Sequence, residues 1–320
     1  SRFHSRNGRN DKTMTQLKEL QVGDAFEGLY LIKQADVRQT RAGKSYLAMV
    51  FQDRTGQIAG NLWDADDYMV ETFTKGKVVY MRAVKELYQG TPQVNKIYLR
   101  LPENTEPNDP KDFKPKSVVN EKELRDYIQK VIFKIENATW NRIVRYIFKK
   151  YDKAFFEYPA AKTNHHAFEG GLSYHTATMA QLAEKICEVY PMLDESLMLA
   201  GILLHDMAKV IEFSGAENTT YTLKGNLIGH IVLIDEEVSE AVRELDLDND
   251  KEDVTVLRHV LLAHHGLREY GSPVRPQIME AEVIHQIDMM DASIMMMGTA
   301  LNQVGTGEMT PRIFALDNRN

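Results

Sequence analysis

Two periodicities of apolar residues divide the chain into two regions. From Met14 to about Leu101, short runs rich in Tyr, Val, Ile and Phe alternate with Gly-containing turns, which is typical of β-strands. From Asn120 onward, apolar residues recur three and four positions apart, which predicts amphipathic helices. We therefore expect a multi-domain protein with a β domain followed by an all-α domain.

The β region contains five predicted strands and one short helix. The strands cover Ala25–Val37, Ser45–Gln52, Gln57–Trp63, Lys77–Leu87 and Gln93–Arg100, and the polar stretch Asp64–Thr74 forms the helix. Five strands with a helix between the third and the fourth are the layout of an OB-fold β-barrel. We assign residues 14–101 to a nucleic-acid-binding OB fold.

Proline spacing and helical periodicity set the remaining boundaries. Four prolines with Asn and Asp between Pro102 and Pro115 predict a linker, 102–119. The helical domain covers 120–305, a C-terminal tail 306–320, and a leader 1–13 precedes a natural start at Met14. After the first helices, further ones are predicted at Leu172–Val189, Glu195–Ile211, Gly225–Leu245, Asp253–His265 and Ile278–Ala300.

Composition narrows the class of protein. With 320 residues, of which 43% are apolar, the chain can bury a core in each domain. No run approaches the ~18 consecutive apolar residues of a membrane span, and the N-terminus lacks an apolar signal core. The single cysteine, Cys187, cannot form an intramolecular disulfide. We expect a cytoplasmic protein without a membrane partner. The net charge of −7 does not favour nucleic-acid binding, although bound cations and a local basic groove would permit it.

Histidines and aspartates cluster in the helical region, where all the histidines after the leader lie between His165 and His285. The pair His205-Asp206 ends an apolar run, where unsatisfied polar groups would cost several kcal/mol. A single core-facing histidine is more often hydrogen-bonded than metal-bound, but the whole set needs more partners than a helical core offers. The candidate metal ligands are His175, His205, Asp206, His230, His264, His265 and Asp288.

The ligand types and their number indicate two divalent metal ions. Imidazole and carboxylate ligands without thiolates suit Zn, Mn, Fe, Co or Ni, and Mn or Co fits a site where carboxylate oxygens bridge two ions. Of these metals we expect Mn first. One cation rarely takes more than about six ligands, and a catalytic site keeps a position for water. Two ions about 3.5–4 Å apart can clamp a phosphate and activate a water.

Taken in chain order, the motifs that contain these ligands resemble the HD superfamily of metal-dependent phosphohydrolases in its dinuclear variant. The matching segments are Gly170–His175, Leu204–Lys209, Gly229-His230, Ala263–Gly266 and Ile287-Asp288. An HD domain behind an OB fold is similar to the YhaM-type 3'-to-5' exoribonucleases, and the similarity covers the chain from Met14. The resemblance implies a metal-dependent phosphodiesterase that removes nucleotides from the 3' end of single-stranded RNA.

The resemblance also implies how the ligands are shared. His175, His205, Asp206 and Asp288 would hold one ion. Asp206 would bridge to a second ion held by His230, His264 and His265.

Two further residues near these motifs are candidates for catalysis. Lys209 is predicted one helical turn after His205, where its ammonium could reach a substrate phosphate. The alternative is that Lys209 only complements a helix C-terminus. Asp291, one turn beyond Asp288, is expected to orient a ligand or a water.

Substrate contacts are predicted in both domains. In the helical domain they are His166, Glu169 and Arg275. The loop that contains Arg275 is equally well explained as an ordinary surface loop. OB folds bind single strands through stacked aromatics and basic side chains. The barrel candidates are Arg38, Arg41, Lys44, Tyr46 and Trp63, with Arg82, Lys85, Tyr88 and Lys96 as an extension. Phe51 is expected to be buried instead.

Several alternatives stay open at this point. Single-stranded DNA is a second substrate, since no contact that reads the 2'-hydroxyl is identified. A phosphohydrolase of nucleotides or cyclic dinucleotides, with a regulatory OB domain, would use the same metals. A non-catalytic single-strand-binding protein is the third reading, and a homo-oligomer is an open assembly state.

Overall fold

A computed structural model describes residues 15–114, 120–162, 169–216, 219–302, 304 and 309–319. The predicted leader and His166 lie outside the described residues. The chain divides into two compact units, one of residues 1–116 and 302–311 and one of residues 117–301 and 312–320. The domain boundaries drawn from the sequence stay predictions, and each unit is described by itself below.

The first unit is a closed five-stranded barrel. Its strands are β1 (Ala25–Gln39), β2 (Ser45–Gln52), β3 (Gln57–Leu62), β4 (Val78–Tyr88) and β5 (Thr91–Arg100), with helix α1 (Asp67–Thr72) between β3 and β4. The strand order around the barrel is β1-β2-β3-β5-β4. β3 pairs with β5 in parallel, and the other pairs are antiparallel. This confirms the predicted OB-like barrel.

A glycine on β3 allows strands β3 and β5 to approach closely, and this closes the barrel. A Cβ atom at Gly60, where β3 meets β5, would lie 2.5 Å from Val94 Cγ2, so only glycine permits this approach. Phe51 is fully buried in the barrel core, as expected from the sequence. Asp66 begins α1 by accepting a hydrogen bond from the Met69 N–H at 2.8 Å.

Part of the predicted linker packs on the barrel. A 3₁₀ helix covers Pro110–Phe113, and the Phe113 ring is buried against Leu29, Leu31 and Val78. The segment after β5 therefore contributes one large apolar side chain to a second, smaller cluster of the first unit.

The second unit is helical. Its helices are α2 (Glu121–Lys134), α3 (Ala138–Glu157), α4 (Gly171–Val189), α5 (Glu195–His205), α6 (Lys209–Glu212), α7 (Leu223–Leu227), α8 (His230–Glu244), α9 (Glu252–Leu262) and α10 (Met279–Leu301). Helix α5 is apolar on every side, and Leu197–Leu204 are all buried. Such a helix is central to its domain. Within the described ranges, no helix combines the length and the apolar character that crossing a membrane requires.

Three predicted helices are shorter than the sequence indicates. The helix expected over Glu195–Ile211 ends at His205, because Asp206 leaves the helical conformation with φ −109° and ψ 3°. Met207 and Ala208 in the following turn are buried, so the apolar pattern continues across the break and hides it. Lys209 therefore begins α6 and does not share a helix with His205, contrary to the prediction.

The other two predicted helices are also shorter in the structure, and this places histidines at helix ends. The helix expected over Gly225–Leu245 is interrupted at Gly229, whose φ of 80° is accessible mainly to glycine, so His230 begins α8. Helix α9 ends at Leu262, and His264 and His265 lie in the turn after it. The backbone thus presents most of the candidate ligands where helices begin or end.

Candidate metal centre

The carboxylate of Asp206 lies at the centre of four histidine rings. Its Oδ2 is 3.2 Å from Nε2 of His205 and 3.6 Å from Nε2 of His175. Its Oδ1 is 3.3 Å from Nε2 of His230 and 3.7 Å from Nε2 of His264. Asp206 is 3% exposed, and the four rings are buried. Each carboxylate oxygen therefore faces its own pair of histidines.

Two ligand groups with metal-binding spacing surround this carboxylate. The first cluster consists of His175, His205 and Asp206, and the second of His230, His264 and His265. Within each cluster, one ligand atom per residue lies within 4.8 Å of the others. Asp288 extends the first cluster, since its Oδ1 is 3.0 Å from His175 Nε2.

Main-chain carbonyls fix three of the five rings. Nδ1 of His205 donates to the Ile202 carbonyl at 2.6 Å, and Nδ1 of His264 donates to Leu261 at 2.7 Å. Nδ1 of His265 donates to the Tyr270 carbonyl at 2.7 Å. Because a carbonyl only accepts, the proton of each neutral ring is on Nδ1, and the Nε2 lone pair is available to a metal.

Carboxylates hold the other two rings in the same way. Nδ1 of His175 lies 2.6 Å from Oδ2 of Asp291, and Nδ1 of His230 lies 3.2 Å from Oε1 of Glu212. All five imidazoles therefore have Nδ1 engaged. Partners of this kind orient metal-ligating histidines in proteins.

The residues present fit a divalent metal. Nε2 of His205, His230 and His264 is buried and has no hydrogen-bond partner among the described residues, although Asp206 lies close by. Leaving buried polar atoms unsatisfied is costly, and a cation would satisfy all three. The donor set of imidazoles and carboxylates, without thiolates, is one that divalent first-row metals accept.

Opposing effects set the charge states of the first cluster. Burial works to raise the pKa of Asp206, but His205 and Lys209 outweigh it and lower that pKa well below the usual range. Burial lowers the pKa of His175, but Asp288 and Asp291 raise it to about 10. The metal-free first cluster therefore combines carboxylates with a protonated imidazole.

The second cluster is less cationic. Burial lowers the pKa of His264. Burial, together with the neighbouring His264 and His230, lowers the pKa of His265 to about 3. Two of its three rings are therefore neutral and ready to donate a lone pair at neutral pH.

Lys209 occupies a fixed position beside Asp206. Its Nζ donates to the Ala160 carbonyl at 2.7 Å and lies 3.0 Å from Asp206 Oδ2. Burial lowers its pKa, but Asp206 and Asp288 outweigh burial and raise it. A permanent cation is therefore held at the centre.

Comparison with known proteins agrees with this geometry. A sequence profile of the HD domain matches residues 172–293, and a profile described as a putative helicase matches residues 114–196. The chain is 41% identical to the 3'-5' exoribonuclease YhaM of Listeria welshimeri, over 95% of this chain and 97% of that protein. It is 40% identical to the proteins of that name from Listeria innocua and Listeria monocytogenes, with the same coverage. The chain belongs to the YhaM family.

The other predicted substrate contacts of this YhaM-family chain are less closely tied to the centre. Glu169 and Arg275 are both exposed. Neither is among the groups that the structure brings together around Asp206.

In the barrel of this YhaM-family chain, two of the predicted contacts, Tyr46 and Trp63, form an aromatic pair. The rings of Tyr46 and Trp63 lie 4.7 Å apart at 36°, and Trp63 is 51% exposed. Arg38 is the cross-strand neighbour of Tyr46, and Lys44 forms an exposed ion pair with Asp64 at 3.3 Å. Arg41 is exposed in the β1–β2 turn.

Three supporting residues of the centre were missed in the sequence. They are Glu212, Ser272, whose Oγ accepts from the His265 N–H at 3.1 Å, and His285, whose Nδ1 donates to the His264 carbonyl at 3.0 Å. His285 is not among the candidates that the sequence singles out. The one available signal was its position on the helix of Asp288, one turn before that ligand.

Proposed function

We propose that this chain is a metal-dependent 3'-to-5' exoribonuclease that hydrolyses the terminal phosphodiester of single-stranded RNA. The observation that carries the proposal is the convergence of buried, partnerless histidine Nε2 atoms on Asp206 in a member of the YhaM family. Single-stranded DNA is proposed as a second substrate. The cytoplasmic location and a homo-oligomeric state stay predictions from the sequence.

The proposed centre takes two divalent ions, with Mn favoured over Co, Fe, Ni or Zn. His175, His205, Asp206 and Asp288 would hold one ion, and His230, His264 and His265 would hold the other, with Asp206 shared. When bound, the ions would supply Lewis-acid stabilisation of the phosphodiester and an activated water. The two-cluster spacing and the two-sided position of Asp206 support this assignment.

The chain's own groups bind and orient. Lys209 offers a buried ammonium that can pair with a substrate phosphate. Asp291 holds the ring of His175 in the orientation that directs Nε2 towards Asp206. Glu169, Arg275 and His166 are proposed only as outer contacts of the strand.

The barrel is proposed to bind the single strand. The Tyr46–Trp63 pair offers an aromatic platform. Arg38 lies opposite Tyr46 on β1, and Arg41 and Lys44 lie in the turn between β1 and β2. Bases stack on such aromatics regardless of sequence, while basic side chains contact the phosphates.

The test is an RNA degradation assay with the full chain and Mn²⁺. A 5'-labelled single-stranded RNA should shorten progressively from its 3' end, and a circular RNA of the same sequence should stay intact. Asp206→Asn should lower the rate at least about a hundredfold, because loss of an outer partner of a metal site alone costs about 10–100-fold. Asp126→Asn, an exposed aspartate on α2, is the matched control and should retain the wild-type rate.

Two outcomes would contradict the proposal. Hydrolysis of mononucleotides or cyclic dinucleotides with intact RNA would favour the nucleotide phosphohydrolase. RNA binding without turnover in any divalent metal, unchanged by Asp206→Asn, would favour a non-catalytic binder. Parallel assays on single-stranded DNA measure the second substrate.

A further inference from the structure

Glu212 holds both the main chain and the ring of His230. Its side chain is buried at the end of α6, with 8% of the residue exposed. Oε1 accepts the backbone N–H of His230 at 3.3 Å and lies 3.2 Å from Nδ1 of the same residue. An anion is favourable there, because His230 is the first residue of α8 and the helix N-terminus carries partial positive charge.

The backbone around Glu212 is fixed by its neighbours. The Glu212 carbonyl accepts the Thr222 N–H at 2.9 Å, and the Ile211 carbonyl accepts the Thr222 hydroxyl at 2.8 Å. Gly225 packs on the same main chain, where a Cβ atom would lie 2.3 Å from the Glu212 carbonyl oxygen. The main chain that carries the Glu212 side chain is therefore held in place independently of His230.

A carboxylate supports one ring in each cluster. In the first cluster Asp291 engages His175, and in the second Glu212 engages His230. The remaining rings, His205, His264 and His265, donate to main-chain carbonyls. A carboxylate partner strengthens an imidazole as a ligand, in addition to orienting it.

We propose that Glu212 is a positioning residue of the second cluster and sets the affinity of that cluster for a divalent ion, separately from the first cluster. Asp291 has the corresponding role for the first cluster. This inference rests on the two-ion centre proposed above. It assigns each ion its own side-chain support.

The test is a titration of the metal-stripped full chain with Mn²⁺, followed by the free-ion signal in electron paramagnetic resonance. Wild type should bind two ions. Glu212→Gln should keep one ion at wild-type affinity and bind the other about 10–100-fold more weakly. Asp291→Asn should weaken one ion to a similar degree. Glu236→Gln, at an exposed position of α8, is the matched control and should leave both affinities unchanged.

A double-mutant cycle assigns each effect to its cluster. If Glu212 acts through His230, the effect of Glu212→Gln on Mn²⁺ affinity should disappear in a His230→Ala background. In a His175→Ala background the effect should persist in full. Glu212→Gln removes a negative charge from the N-terminus of α8, so its unfolding temperature in a chelator should be slightly lower than that of wild type. A loss of Mn²⁺ affinity confined to one ion separates positioning from this general loss of stability.

The possible failures point to different conclusions. Wild type binding fewer than two ions would overturn the two-ion centre and this inference with it. Wild type binding two ions, with Glu212→Gln weakening both equally or neither, would overturn the role of Glu212 and leave the centre standing. Persistence of the Glu212→Gln effect in the His230→Ala background would do the same.

Discussion

At the scale of residues, main-chain carbonyls engage Nδ1 of three candidate ligand histidines, and carboxylates engage Nδ1 of the other two. The histidines and aspartates could be recognised because their number exceeds what a helical core can satisfy. The partner of His230 could not, since Glu212 lies 18 positions away and no local pattern links the two. The carbonyls of Ile202, Leu261 and Tyr270 belong to the main chain, so no residue type marks them.

The raised pKa of His175 leads to a prediction about proton release. Burial opposes the charge, but Asp288 and Asp291 raise the pKa to about 10, so the metal-free ring is protonated at pH 7.5. A metal needs the lone pair of Nε2, so Mn²⁺ binding should release at least one proton per chain and tighten as pH rises from 6.5 to 9. His265, with a pKa lowered to about 3, should release none.

Calorimetry measures this proton release. Mn²⁺ should be titrated in two buffers of different ionisation enthalpy, and the difference between the binding heats gives the number of protons. Equal heats in the two buffers, or an affinity that does not rise with pH, would contradict a protonated His175 in the metal-free chain.

At the scale of elements, strand boundaries follow from sequence more closely than helix ends. The strand predicted over Ser45–Gln52 has those bounds in the structure, because turn residues flank it. The helix predicted over Glu195–Ile211 breaks at Asp206, because buried Met207 and Ala208 continue the apolar pattern through the turn. Periodicity detects burial, and here burial does not end where the helix ends.

The turn after α9 provides a prediction about packing. Gly266 has φ +77°, and a Cβ atom there would lie 2.3 Å from Nε2 of His285, whose Nδ1 holds the His264 carbonyl. Gly266→Ala should therefore displace the turn that carries His264 and His265, weaken Mn²⁺ binding and lower the free energy of unfolding.

Gly271→Ala is the matched control for this change. Gly271 also has positive φ, +98°, but a Cβ there would meet only Ile231 Cδ1 at 3.9 Å. Gly266→Ala should be less stable than Gly271→Ala by about 1–3 kcal/mol in urea unfolding, the usual cost of overpacking. Equal stabilities would mean that His285 moves aside without cost.

At the scale of the whole molecule, one chain carries an OB-like barrel and an HD helical domain. The order of the two was predictable because the apolar period changes once, near Asn120. The packing of Phe113 on the barrel was not, because a single aromatic among prolines has no periodicity. The roles proposed for the two parts, RNA binding by the barrel and hydrolysis by the helical domain, can be tested separately.

The barrel platform should affect RNA binding without affecting chemistry. Trp63→Ala removes half of the Tyr46–Trp63 pair and should weaken the affinity for single-stranded RNA by about 5–150-fold, since stacking contributes about 1–3 kcal/mol per base. The KM for RNA should rise, while kcat at saturating RNA should stay near the wild-type value.

Tyr190→Ala removes an aromatic of similar exposure from the end of α4 and is the control. Fluorescence anisotropy with labelled RNA gives the affinities. If Trp63→Ala and Tyr190→Ala bind RNA equally well, the strand does not use this face of the barrel.

The five imidazole rings of the centre are oriented in two ways, by main-chain carbonyls and by carboxylates. This difference affects how the metal preference could change. Side-chain substitutions cannot remove the carbonyls that orient His205, His264 and His265, so those rings keep their tautomer through sequence drift. Only Asp291 and Glu212 can vary, and each acts on a different ring. In the proposed two-ion centre, natural variation or engineering thus has one adjustable position per ion, and the selectivity of the two sites can diverge while the ligand set stays intact.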